Sequence, residues 1–242
     1  MDNYRFSTRG NTPALEYATK ELCRAGWLLE EDAPLVVLPI PSLDPDGCIK
    51  GGGKPEDLPN SARIIGGNLH HPAFKQHDCI DLLKDPLYLS ENAAITAHCA
   101  LCTAMQRLPI TLQDCPVLVV GWGRIGKCLV RLLRLLGARV TVAARSEADR
   151  ALIAALGYTA VDILDDVPAL SVYRVIYNTV PAMVLPKEKL SGCRQDCLKI
   201  DLASVCGIDG DDVIWARGLP NLHAPESSGQ LIAKIIRKEF EV

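Results

Sequence analysis

The feature that most constrains this chain is the run VLVVGWGRIG (117–126), in which three glycines follow directly on an apolar stretch. A strand that leads through a G-x-G-x-x-G turn into a helix is typical of a phosphate-binding site. Gly121 permits the tight turn, Gly123 lets the backbone approach a pyrophosphate, and Gly126 lets the helix pack on the strand. The helix N-terminus then offers its N–H groups to the anion. The alternative is a glycine-rich turn that holds no ligand.

Downstream of residue 90 the chain alternates strand-like with helix-like segments. Strands are predicted at 115–121, 138–144, 172–179, 197–203 and 212–217, and helices at about 124–136 and 147–156. Gly137 and Gly157 follow these two helices as C-terminal stops. The alternation indicates an α/β fold, a doubly wound parallel sheet of the Rossmann kind, with a smaller N-terminal α/β domain.

The chain is predicted to divide near residue 90. The parts are an N-terminal substrate-side α/β domain (1–89), an interdomain helix (90–109), a Rossmann dinucleotide-binding domain (110–226) and a C-terminal helix (227–242) that packs near the interdomain helix. Within the first part we expect a helix at 12–27 with Thr12 as its N-cap, and strands at 34–40 and 63–68. The Pro- and Gly-rich loop 42–60 is either a lid or binding loop or a disordered surface insertion.

Composition excludes several classes of function. The 242 residues carry a formal net charge of -3, so no basic surface for nucleic acid or anionic lipid is predicted. The polar N-terminal residues do not resemble a secretory signal, and three arginines interrupt the apolar stretch 128–144, which argues against a membrane span there. We therefore expect a cytoplasmic protein whose ten cysteines are reduced. Cys99 and Cys102 form a C-x-x-C without a second such pair, so no metal site is predicted.

The end of the second Rossmann strand indicates the cofactor. An NAD site usually places Asp or Glu about 20 residues after the glycine turn, where it bonds the ribose hydroxyls. Here the strand ends in Ala144, Arg145 and Ser146. A guanidinium and a hydroxyl bind a 2′-phosphate that a carboxylate would repel, so the sequence predicts NADP. Glu147 and Asp149 are assigned to the first turn of the next helix. The alternative is that Arg145 is an ordinary surface charge.

Four segments together resemble one family. In chain order they are GWGRIGKCLVRLLRLLGARVTVAARS, YNTVPAMVLPKEKL, KIDLAS and GLPNLHAPESSGQLIAKII. Over about residues 88–240 the chain resembles the A subunit of dipicolinate synthase, whose N-terminal domain is longer. The resemblance implies an NADP-dependent oxidoreductase that converts a dihydrodipicolinate-type ring to dipicolinate (pyridine-2,6-dicarboxylate) in the cytoplasm of sporulating bacteria. It also implies a small dicarboxylate substrate, a partner in the form of a flavoprotein-like B subunit and, by analogy with other dehydrogenases, a homo-oligomer.

The resemblance also implies site residues. The cofactor-binding residues are Gly121, Trp122, Gly123, Arg124, Ile125 and Gly126; Ala144, Arg145 and Ser146; Asn178, Thr179, Val180 and Pro181; and Leu202, Ala203 and Ser204. For Asn178 and Ser204 the alternative is a cap or turn residue. The predicted catalytic residues are Glu91, which the family's interdomain helix also carries, and His98 and His223, the candidates for a general base by residue type. Cationic candidates for holding the substrate's carboxylates are Arg5, Arg9, Lys50, Lys54 and Arg63.

Two alternatives to this function stay open. Asn221, His223 and Glu226 depart from the smaller, less polar residues of the family, so the chain is alternatively an NADP-binding dehydrogenase for another small carboxylate. The short N-terminal domain favours a third hypothesis, a non-catalytic nucleotide-binding subunit that acts through a partner.

Overall fold

The computed structural model describes residues 4–163 and 169–240. The strands are β1 (Arg5–Thr8), β2 (Leu28–Leu29), β3 (Leu35–Val37), β4 (Arg63–Gly66), β5 (Cys79–Asp81), β6 (Pro116–Val120), β7 (Arg139–Ala144), β8 (Thr159–Asp162), β9 (Val175–Asn178), β10 (Leu198–Asp201) and β11 (Val213–Trp215). The α-helices are α1 (Pro13–Arg24), α2 (Pro86–Met105), α3 (Arg124–Leu135), α4 (Glu147–Ala155), α5 (Lys187–Leu190), α6 (Leu219–His223) and α7 (Pro225–Phe240). None of the helices in this described part is long and apolar enough to cross a membrane.

The chain forms two compact units. Unit 1 consists of Met1–Ile95 together with Pro220–Val242, and unit 2 consists of Thr96–Leu219. The C-terminal segment therefore belongs to the same unit as the N-terminal one, and the division falls within α2. The domains predicted from the sequence were bounded by motifs, whereas the two units are defined by contacts between residues. The predicted domain boundaries therefore stay a prediction.

Unit 1 is built on a five-stranded parallel sheet. The strand order is β2-β1-β3-β4-β5, with Thr8 beside Val37 and Gly66 beside Asp81. This is the flavodoxin-like order, in which a ligand crevice lies at the carboxyl ends of the first and third strands, where the order reverses. The sequence predicted two strands here and missed three: β1 and β5 carry polar residues, and β2 is only two residues long.

The helices α1 and α7 cover this sheet as a packed pair. Thr12 caps α1 as predicted, since its side chain accepts a hydrogen bond from Leu15 N. A Cβ on Gly229 of α7 would lie 2.6 Å from the Ala14 carbonyl oxygen, so only glycine allows this approach of the helices. The buried residues that the pair contributes to the core are Ala14, Leu15, Ala18 and Leu22 from α1 and Leu231, Ile232, Ala233, Ile235 and Ile236 from α7.

The loop 42–60 is anchored by buried side chains. Ile49 and Leu58 are almost completely buried in a core cluster with β3 and β4. The Ser42 hydroxyl donates to the Pro39 carbonyl and accepts from Gly67 N, and is itself fully buried. These contacts attach the loop to the unit, which argues against a disordered surface insertion.

Unit 2 is built on a six-stranded parallel sheet in the order β11-β10-β9-β6-β7-β8. Numbered within the unit, this order is 3-2-1-4-5-6 read from the β8 edge, which is that of a Rossmann fold. The predicted α/β class and the doubly wound parallel sheet are therefore confirmed. β6 and β9 lie side by side at the reversal, with Val120 opposite Asn178, so the loops that follow these strands meet at the carboxyl edge.

Candidate functional site

The turn between β6 and α3 has the geometry of a phosphate-binding loop. Gly121 adopts φ +104° and donates its N–H to the Ala143 carbonyl at 2.8 Å. A Cβ on Gly126 would collide with the Gly121 carbonyl oxygen, which explains the close contact between helix and turn. A Cβ on Gly123 would meet no atom within 4 Å. Gly121 therefore permits the turn and Gly126 the close helix contact, as predicted, and open space lies in front of Gly123.

The first turn of α3 offers backbone donors to this open space. Gly123 is the N-cap and supplies no side-chain acceptor, so the first N–H groups of the helix are left without an intrahelical partner. Arg124 is exposed and Ile125 is half-buried. The ring centroids of Trp122 and Tyr158 are 6.3 Å apart, and the Lys127 ammonium lies 5.7 Å from the centroid of the Trp122 ring. This turn can hold an anion through backbone N–H groups and the positive end of α3.

The turn after β7 carries the residues predicted to select the cofactor. Ala144 is buried, whereas Arg145 and Ser146 are exposed. The Ser146 hydroxyl is the N-cap of α4 and accepts from Asp149 N at 3.3 Å, but its own proton stays available for a second acceptor. Arg145 forms no ion pair with any carboxylate in the described ranges 4–163 and 169–240.

Sequence reasoning missed Arg150, which holds the same turn together. Its Nη1 donates to the Ala144 carbonyl at 2.9 Å and to the Arg145 carbonyl at 2.8 Å. The same nitrogen lies 2.6 Å from a carboxylate oxygen of Asp162, at the end of β8. A basic residue in the second turn of α4 was the only signal in the sequence.

The segment after β9 contacts the glycine turn directly. Thr179 donates its hydroxyl to the Val120 carbonyl at 2.9 Å, and a Cβ on Gly121 would collide with that hydroxyl oxygen. Val180 is half-buried and Pro181 is exposed. Asn178 is fully buried, and its amide donates to the Val180 carbonyl and accepts from the Val180 N–H, each at 3.0 Å. Asn178 therefore shapes the loop through its side chain, which is the role of a turn residue.

Asp201, which lies in the KIDLAS motif but was given no role from the sequence, organises the segment after β10. One of its carboxylate oxygens accepts from the Asn178 amide at 2.9 Å and from Gly207 N at 2.7 Å, and the other accepts from Ala203 N at 2.9 Å. Leu202 and Ala203 are buried and Ser204 is exposed. Burial, with a smaller contribution from the Asp201 carboxylate, raises the pKa of the neighbouring Cys206 thiol, which disfavours a thiolate nucleophile there.

The three predicted catalytic side chains are distributed over both units. Glu91 on α2 is ion-paired with Lys234 of α7, with both carboxylate oxygens within 2.9 Å of the ammonium, beside a cavity of about 390 Å³ in unit 1. His223 ends α6 in unit 1 and is exposed. His98 is exposed on the part of α2 that belongs to unit 2. Within the described residues no three His, Cys, Asp or Glu side chains are arranged to hold a metal ion.

The cationic candidates of unit 1 separate into two groups. Arg5 is 3.6 Å from Glu30 and Arg63 is 2.8 Å from Asp78, so both have carboxylate partners. Arg9 directly follows β1, and among the described residues its guanidinium donates to the backbone carbonyls of Thr8 and Glu31, at 3.0 and 3.2 Å. Lys50 and Lys54 lie in the glycine-rich loop, whose backbone binds the β1–α1 turn: the Lys50 carbonyl accepts from Asn11 N at 2.9 Å. Neither lysine pairs with a carboxylate in the described part of the chain.

The closing segment is held by unit 1. The Asn221 side chain accepts from Ala14 N at 3.1 Å, in the first turn of α1. The departure of Asn221 from the family pattern therefore has a structural explanation, an additional cap on α1, rather than a contact with substrate.

The strand order and glycine turn define unit 2 as a Rossmann-type nucleotide-binding fold. No protein-family model matches the chain. The chain is similar to the dipicolinate synthase A subunit of Bacillus subtilis (strain 168), at 31% identity over 155 residues, which covers 61% of this chain and 52% of that protein. It thus spans about half the length of the curated relative it matches. The resemblance to this A subunit, predicted from four motifs, is confirmed.

Solved structures extend this likeness in fold to both units. The dipicolinate synthase A subunit of Bacillus halodurans matches with a TM-score of 0.84 at 22% identity, over 98% of this chain and 97% of that chain. A transhydrogenase from Sinorhizobium meliloti matches with a TM-score of 0.70 at 14% identity, over 92% of this chain and 80% of that chain. At these identities the matches show a shared fold.

Proposed function

We propose that this chain is an NADP-dependent oxidoreductase similar to the dipicolinate synthase A subunit, and that it oxidises a dihydrodipicolinate-type ring to dipicolinate. The observation that carries the proposal is the pair of turns at the carboxyl edge of unit 2. The β6–α3 turn leaves open space and backbone donors for a pyrophosphate, and the β7–α4 turn presents Arg145 without an acidic partner in the described part of the chain. A 2′-phosphate would satisfy that guanidinium and the Ser146 hydroxyl.

The residues fit NADP because the end of β7 carries no carboxylate that would repel a 2′-phosphate. Ala144, Arg145 and Ser146 stand where an NAD site usually carries a carboxylate. NADP, when bound, supplies the hydride acceptor for the oxidation. Gly121, Gly123 and the first turn of α3 would hold its pyrophosphate, and the segments after β9 and β10 would line its nicotinamide end.

On the substrate side the chain must bind two carboxylates and accept one proton. Arg9 is the strongest candidate for a carboxylate, since it follows β1 at the reversal of the unit 1 sheet, and its two side-chain hydrogen bonds within residues 4–163 and 169–240 both go to backbone carbonyls. Lys50, in the loop that is bound to the same turn, is the second candidate. For the proton, His98 and His223 stay the candidates, because both side chains are exposed to exchange with water.

The partner and the biological setting belong to the same proposal. The relative's name designates one subunit of a synthase, which supports a second subunit for this chain too. The flavoprotein-like B subunit, the sporulation setting, the cytoplasmic location and a homo-oligomer follow from that resemblance. The five-stranded sheet of unit 1, with the strand order that forms a ligand crevice, favours a catalytic chain over one that only binds nucleotide.

Calorimetric titration with NADP and, separately, NAD tests the cofactor. We expect micromolar NADP binding, weaker NAD binding, and an NADP affinity at least tenfold lower (about 1.4 kcal/mol) in Arg145→Ala. Arg131→Ala is the matched control, because Arg131 is exposed on α3 and has no carboxylate partner in the described part of the chain. Turnover of dihydrodipicolinate with and without a B subunit then tests the reaction. The proposal is refuted if the chain binds neither NADP nor NAD.

A further inference from the structure

One arginine nitrogen joins three acceptors around the β7–α4 turn. Arg150 Nη1 donates to the Ala144 carbonyl at 2.9 Å and to the Arg145 carbonyl at 2.8 Å. The same nitrogen lies 2.6 Å from a carboxylate oxygen of Asp162. The side chains of Arg150 and Asp162 are only 24% and 21% exposed, so solvent screens this contact less than it screens a surface pair. The guanidinium therefore fixes the backbone from which the Arg145 side chain and the Ser146 hydroxyl project.

The position of Asp162 gives this contact a second consequence. Asp162 ends β8 and is the register partner of Ala144 at the end of β7. Adjacent strands are about 4.8 Å apart, so the carboxylate lies beside the turn that would receive a 2′-phosphate. Without the positive charge of Arg150, the negative charge of this carboxylate would repel the phosphate.

We infer that Arg150 is a positioning residue that sets the nucleotide preference, by neutralising Asp162 and by holding the Arg145–Ser146 turn. The inference rests on the proposed NADP site. It assigns the preference for NADP over NAD to Arg150 and Asp162, which lie outside the AARS segment (143–146) from which NADP was predicted. Both effects act on the 2′-phosphate alone, so loss of Arg150 lowers NADP affinity and leaves NAD affinity nearly unchanged.

A double-mutant cycle of Arg150→Met and Asp162→Asn, read as Kd for NADP and for NAD, separates the two effects. We expect Arg150→Met to weaken NADP binding roughly a hundredfold and to change NAD binding less than about threefold. Asp162→Asn alone keeps NADP binding, because the turn is still held. The double variant recovers on the order of tenfold in NADP affinity over Arg150→Met, because the repelling charge is gone. Arg131→Met controls for the loss of one positive charge from the same unit.

The outcomes separate this inference from the function on which it rests. If the unaltered chain binds neither nucleotide, both fail together. If it binds NADP and Arg150→Met keeps the NADP-to-NAD ratio, the inference alone is overturned. Should Arg150→Met not fold, the double variant carries the test, since it leaves no lone charge at the turn. NADP binding by the double variant equal to that of Asp162→Asn would then overturn the positioning role.

Discussion

Replacing Gly121 or Gly123 of the glycine turn by alanine is expected to have different effects, on stability in one case and on ligand binding in the other. Gly121 has φ +104°, and a Cβ there would collide with the Thr179 hydroxyl oxygen and lie 2.9 Å from a methyl carbon of Val180. Gly123 has φ -78°, which alanine adopts without strain, and a Cβ there meets nothing within 4 Å. Gly121→Ala should therefore destabilise unit 2, whereas Gly123→Ala should obstruct the ligand.

The magnitudes follow from these contacts. For Gly121→Ala the positive φ costs about 1–3 kcal/mol. Displacing the Thr179 hydroxyl from the Val120 carbonyl costs about 0.5–1.5 kcal/mol more, so we expect a loss of about 1.5–4.5 kcal/mol in the free energy of unfolding. For Gly123→Ala the poorer N-cap destabilises the protein by about 0.5–1 kcal/mol. The lower conformational entropy of the unfolded chain stabilises it by about 0.4–1 kcal/mol. The net change in stability is therefore close to zero.

Urea denaturation and calorimetric titration with NADP distinguish the two variants. Gly121→Ala should shift the unfolding midpoint of unit 2 strongly. Gly123→Ala should keep the midpoint and lose at least about tenfold in NADP affinity, because the methyl group occupies the space through which the pyrophosphate approaches the backbone. The reasoning is refuted if Gly123→Ala destabilises unit 2 as much as Gly121→Ala does, or if it binds NADP with unaltered affinity.

Two further predictions concern buried groups of unit 2. Asp201→Ala should lower the free energy of unfolding by about 2–4 kcal/mol in urea denaturation, because it strips the acceptor from buried N–H donors including Asn178; a change below about 0.5 kcal/mol would contradict this role. Burial raises the pKa of Cys197 to about 12, so its thiolate is scarce until the pH approaches that value, and iodoacetamide at pH 8 should label exposed Cys23 in the native chain and spare Cys197. Equal labelling rates by mass spectrometry would show that the thiol is not protected.

Sequence patterns predicted the parts of unit 2 whose determinants are local. The apolar run of β6, the glycine turn and α3 lie next to one another in the chain, so period and spacing suffice to recognise them. The AARS segment was found for the same reason, as the end of the next strand. Unit 1 was harder, because β2 and β5 are short and owe their place to neighbouring strands rather than to a hydrophobic pattern of their own.

The residues that hold the candidate site in shape escaped sequence reasoning because their partners come from other strands. Asp201 acquires its role only when β10 pairs with β9, which brings it against Asn178. Arg150 acquires its role only when β8 pairs with β7 and brings Asp162 to the turn. A carboxylate at the end of β8 would count as evidence for NAD if the turn were judged by composition alone. Its ion pair with Arg150 removes that argument, so under the NADP site that we propose an attempt to change the nucleotide preference should begin at the pair rather than within the motif.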